Sequence, residues 1–114
     1  MKLIVTMLAV GLLGSASLAS AEDMKMDMPK SQADADFGKV MAKMTSDMDV
    51  KTTGKPDVDF VRMMLPHHQG AVDMAKVELK YGTDPTLRKM AQDIVSSQEK
   101  EITEMKEWQA KNGK

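Results

Sequence analysis

Apolar positions fall into a helical rhythm from the mid-thirties of the chain onward. Phe37, Met41, Met44 and Met48 recur at steps of four, three and four, which is one face of a helix. Asp34 or Asp36 can cap its start by accepting an orphan backbone N–H, and Thr52-Thr53-Gly54-Lys55-Pro56 ends it in a loop. A second helix is predicted from Asp57, its cap, to Tyr81-Gly82. Its inner stripe would be Phe60, Met63/Met64, His67, Ala71, Met74 and Glu78. Pro66 lies inside this stripe and frees the carbonyl of Arg62, which predicts a kink and not a break. Gly82 stands where a helix end favours left-handed backbone.

Asp84 as cap and Pro85 at the first helical position open a third helix. Leu87, Met90/Ala91, Ile94, Gln98, Ile102, Met105 and Trp108 form its stripe, while Glu99, Glu101, Glu104 and Glu107, with Lys100 and Lys106, take the wet side. No strand-like alternation competes. The expectation is an all-α chain: a small antiparallel helical bundle of about three long helices, occupying residues 34–112.

A two-residue link between the second and third helices forces an antiparallel hairpin. Residues equidistant from the turn then face each other: His67 with Gln98, Met63 with Ile102, Phe60 with Met105, Met74 with Met90 or Ala91. If the first helix also folds back, Met41 and Met44 fall level with Met63 and Met64; these registers are good to about one turn, ~5 Å.

Residues 1–21 have a different character. A basic start at Lys2, an apolar run from Leu3 to Leu13 and the small-residue pattern Ala19-Ser20-Ala21 predict a cleaved secretory signal. The run is too short for a membrane span, which needs ~20 residues. The pattern implies export. Residues 22–33 are polar, interrupted by Pro29, and read as a mobile arm.

Charge and cysteine narrow the classes. Loss of Lys2 with the signal would take the formal net charge from −1 to −2. Charges of both signs are interspersed, so neither a nucleic-acid footprint nor a membrane-surface helix is predicted. The chain has no cysteine, which removes thiolate metal sites, covalent haem attachment and thiol nucleophiles. Methionine is the anomaly: thirteen in the chain, eleven of them after residue 21, against three leucines and two isoleucines there. Thioethers stand where leucine normally leads.

The densest chemistry is Met63-Met64-Leu65-Pro66-His67-His68. On a helix Met63 and His67, Met64 and His68, and Met64 and His67 occupy adjacent turns, ~5–6 Å apart at their β-carbons. Thioether with imidazole suits a soft cation, copper(I) or silver(I), provided the imidazole is neutral. By register Met41 or Met44 supplies a third ligand and Gln98 orients His67. Any one of Met41, Met44, Met48, Met74, Met90 or Met105 taken alone reads as a core filler before it reads as a ligand; the two histidines amid thioethers turn that balance for the ensemble. Met24-Lys25-Met26-Asp27-Met28 has nothing to bury it. Its alternate thioethers either wrap one soft cation or serve as sacrificial sulfoxide formers.

Enzymatic signatures are missing. Neither histidine has a glutamate three residues before it, as a di-iron bundle requires. There is no His-Glu-x-x-His, phosphate loop or serine elbow. The expectation is a metal carrier or buffer and not an enzyme. The competing class is a helical interaction module whose methionines form an adaptable surface for a protein partner.

The segment Asp59-Phe60-Val61-Arg62-Met63-Met64-Leu65-Pro66-His67-His68-Gln69-Gly70-Ala71-Val72-Asp73-Met74-Ala75, followed by Gly82-Thr83-Asp84-Pro85, Leu87-Arg88, Ile94, Gln98, Glu101-Ile102, Met105 and Trp108, resembles domain-of-unknown-function family 305. The resemblance covers roughly Phe37 to Gln109. It implies a ferritin-like helical bundle in the periplasm and, as for characterised members, copper and silver binding in metal tolerance. The ligands it implies are among Met63, Met64, His67, His68 and Met74. Met24, Met26, Met28, Met41, Met44 and Met48 would be accessory sites, and a periplasmic metal donor or efflux component the partner. Three helices fall short of a four-helix bundle, so either the arm adds a short helix or two chains form a homodimer.

Overall fold

The computed structural model describes residues 31–113. These form three helices, α1 (Gln32–Met48), α2 (Pro56–Tyr81) and α3 (Pro85–Asn112), and no strand occurs among them. The all-α, antiparallel expectation holds. The predicted signal, and most of the arm with Met24, Met26 and Met28, lie outside the described residues.

Helix starts differ from the expectation in two places. α1 is capped not by Asp34 or Asp36 but by Ser31, whose hydroxyl accepts the Asp34 backbone N–H at 3.1 Å. Gln32 and Ala33 are therefore helical. α2 opens with Pro56 at its first position, where the missing N–H costs nothing. Asp57 is thus inside the helix and is not its cap. α3 begins as expected, with the Asp84 carboxylate accepting the Leu87 N–H at 2.9 Å. α2 runs unbroken through Pro66.

α2 is the central helix. It packs against both α1 and α3, and those two make no contact with each other among the described residues. At ~100° per residue, Val61, Met64, His68, Val72 and Ala75 fall on one side of α2. Asp59, Gly70, Val77 and Tyr81 fall on the opposite side. Val61, Val72, Ala75 and Val77, with Ala91 and Ile102 of α3, are the buried apolar residues. The stripe expected to be inner instead lies in the seam between the two contact sides. Phe60 is 55 % exposed, Met63 is 37 % exposed and His67 is exposed.

The connections explain the registers. Gly82 is not left-handed; its backbone is extended at φ −69° and ψ 149°. It must be glycine for another reason: a β-carbon there would lie 2.6 Å from the Glu78 carbonyl oxygen. The link is three residues, Gly82 to Asp84, clamped by the Arg88 guanidinium, which donates to the carbonyls of Leu79 (2.8 Å) and Gly82 (3.0 Å). His68 meets Glu101, about one turn from its expected level, which is the precision of the equidistance reading.

The loop between α1 and α2 doubles back along the first turns of α2. The Asp59 carboxylate accepts the Thr53 N–H at 2.9 and 3.0 Å and its hydroxyl at 2.9 Å, and the Arg62 guanidinium donates to the Lys51 carbonyl at 2.9 Å. α1 therefore joins α2 further along than a tight turn would allow. Met44 rests on Gly70, where an added β-carbon would run into its sulfur. Tyr81 donates its hydroxyl to Asp36 at 2.8 Å.

Candidate metal centre

The two adjacent histidines have opposite surroundings. His67 is exposed, while the His68 side chain keeps only 13 % of its exposure. Their ring centroids are 6.2 Å apart. His68 Nε2 lies 2.5 Å from a carboxylate oxygen of Glu101, across the α2–α3 interface. With Glu101 ionised, that bond needs the proton on Nε2, and a neutral ring then keeps its lone pair on Nδ1. Nδ1 is fully buried and has no hydrogen-bond partner. A protonated Nδ1 there would be an unmatched donor costing ~1–3 kcal/mol. A bare lone pair there also loses its hydration, a loss that a bound electrophile would offset. Carboxylate on one ring nitrogen and a free pair on the other is how proteins present histidine to a metal.

His68 lines a cleft of about 520 Å³ between α2 and α3, at the end away from their turn. Met64, one turn before His68, lines it from the same wall, as do Phe60 and Val61. From α3 come Glu101, Met105 and Trp108, at steps of four and three residues and so on one side of that helix. The donors meeting here are imidazole and thioether. Among the described residues no three His, Asp or Glu side chains gather in a metal-holding group.

The remaining expected ligands are not brought together here. Met63 and His67 sit in the exposed seam of α2. Met44 packs on Gly70 and does not reach the level of Met63 and Met64, because the doubled-back loop displaces α1. By that register Met41, 46 % exposed, falls level with Met74, and the half-buried Met48 falls level with His67. Gln98, expected to orient His67, has its side-chain oxygen buried and without a partner; the orienting role belongs to Glu101 on His68. Glu101 is exposed, as its wet-side position predicts, yet it also reaches His68, and Met105 and Trp108, on the packing stripe of α3, line the cleft beside it. Their common spacing was the available signal, and it needed the correct hairpin register to be read.

Two carboxylates outside the cleft are tuned by their partners. The backbone N–H of Thr53 is the main cause holding Asp59 below the ordinary aspartate value, with the Thr53 hydroxyl adding to it. The Tyr81 hydroxyl, then the Gln32 amide, does the same for Asp36.

A family model described as a domain of unknown function, DUF305, matches residues 10–109. The chain belongs to the DUF305 family. The DUF305 match takes in α1, α2 and α3 up to Gln109, and with them both walls of the cleft. The chain is also similar to an uncharacterized protein of Acanthamoeba polyphaga mimivirus, 39% identical over 49 residues. That match covers 43% of this chain and 32% of the viral protein, so it spans about a third of that relative's length.

Proposed function

We propose that this chain binds copper(I) or silver(I) through thioether and imidazole donors, and that it carries or buffers these ions in the periplasm and is not an enzyme. The observation that carries this reading is His68: a ring fixed by Glu101, with a buried and unpartnered Nδ1, in a cleft shared with methionine thioethers. Soft sulfur with borderline nitrogen favours a monovalent soft cation over hard divalent ones. Exposed methionines such as Met41 and Met63 offer weaker, accessible positions from which an ion could pass to the cleft or to a periplasmic donor or efflux partner.

Competition between the protein and a copper(I) chelator tests this. The His68→Ala variant is expected to lose tenfold or more in affinity, ~1.4 kcal/mol or above, and His67→Ala to lose much less. Unchanged titration of the double His67→Ala, His68→Ala variant defeats the reading. A second reading, an interaction module with a methionine-rich adaptable face, is favoured by the exposure of Phe60, Leu87 and Met90. It expects no rise in melting temperature on adding metal.

A further inference from the structure

Spacing within α2 alone suggests a site built on one helix, from Met63, Met64, His67 and His68. The folded chain arranges the donors differently. Met63 and His67 are on the exposed seam, while Met64 and His68 line the cleft with Met105 and Trp108 on the facing wall. The cleft is therefore lined by two methionines from opposite helices, by His68 and by Trp108, and the unpartnered Nδ1 of His68 lies just beneath its surface, shielded from solvent.

Each component suits the same ion. Three uncharged soft or borderline donors match a monovalent d¹⁰ cation and leave its charge intact. An indole face attracts a cation through its negative quadrupole, most strongly where water is displaced. Asp57, Glu101 and Glu104 also line the cleft, whose lining includes no lysine or arginine, so the local field favours positive charge. Phe60 and Val61 add apolar surface to the wall that carries Met64 and His68.

We propose that one copper(I) or silver(I) ion is clamped between α2 and α3 by Met64, His68 and Met105, with the Trp108 ring lying over it. This rests on the metal-binding reading above and extends it by assigning the α3 half of the site. An ion so placed ties the two helices together at the end remote from their covalent turn. It is a cross-link of the hairpin, and a site confined to α2 would not be.

Trp108 is the only tryptophan of the chain, so its emission reports on this cleft alone. The test is a titration of the whole protein with silver(I) nitrate in chloride-free buffer, followed in parallel by native mass spectrometry and tryptophan emission. The first bound silver is expected to quench Trp108 by half or more and to shift the methyl resonances of Met64 and Met105. Met105→Leu, which keeps the apolar bulk, is expected to lose tenfold or more in affinity together with the quench. Trp108→Phe is expected to bind severalfold more weakly. One silver ion bound with Trp108 emission unchanged, or Met105→Leu binding as tightly as wild type, overturns the interhelical site and leaves the metal-binding reading standing. No silver bound to the wild type overturns both. If a variant loses its helical circular dichroism, the wild-type emission and methionine methyl shifts decide the matter without it.

Discussion

Neighbouring residues of one type can receive opposite roles from ~100° of helical rotation. His67 looks into the seam of α2, whereas His68 turns toward α3 and finds Glu101. Sequence spacing offers both as candidate donors but does not rank them, because ranking depends on which neighbour each side meets. The tautomer of His68 is the residue-scale consequence. Nitrogen-15 spectra of the neutral ring are expected to show a pyridine-type Nδ1 and a pyrrole-type Nε2, and Glu101→Leu to erode that preference. The reverse tautomer in the wild type would remove the lone pair from the buried position and contradict the ligand assignment.

Among the elements, the turn between α2 and α3 carries the most information per residue. Gly82 has backbone angles open to any L-residue, so its role rests on space: the Glu78 carbonyl occupies the place of a side chain. Gly82→Ala is expected to destabilise by ~1–3 kcal/mol through that overlap, outweighing the ~0.4–1 kcal/mol alanine gains by stiffening the unfolded chain. Chemical denaturation measures the difference; a more stable alanine variant would mean that the turn relaxes freely. The three helices and the α3 cap were legible because periodicity and Asp-Pro punctuation are local signals. The inner face of α2 was not. A helix with neighbours on two opposite sides spreads its apolar residues around its axis, and a single stripe drawn through them points between the true contacts. The α2–α3 register came out within about one turn of the expected one, whereas that of α1 is displaced by about two, because nothing local reveals that Thr53 will bind Asp59.

For the molecule as a whole, the layout is unequal. α1 touches only α2, whereas the cleft belongs entirely to the α2–α3 pair. Asp36 at one end of the α1 contact and Asp59 at the loop both titrate below the ordinary value of 3.8. A depressed folded value means stability that is present above the unfolded pKa and lost as pH falls through the folded one. Acidification below about pH 4 is therefore expected to loosen α1 before the hairpin. Backbone amide signals of α1 should fade first, with Trp108 emission still native-like. Simultaneous loss of all three helices would show that α1 is not an independent flap.

Placing the cleft far from the only covalent joint of the hairpin gives it leverage. His68 stands thirteen residues from the end of α2, and Trp108 twenty-three from the start of α3, or ~20 and ~35 Å along the helices at 1.5 Å per residue. A tilt of ~5° about the Arg88-clamped turn would part the jaws by ~2–3 Å over that span. That is enough to break a metal–sulfur bond while every helical hydrogen bond stays intact. Tweezers of this kind can grip firmly and still let go when a partner pries at the tips.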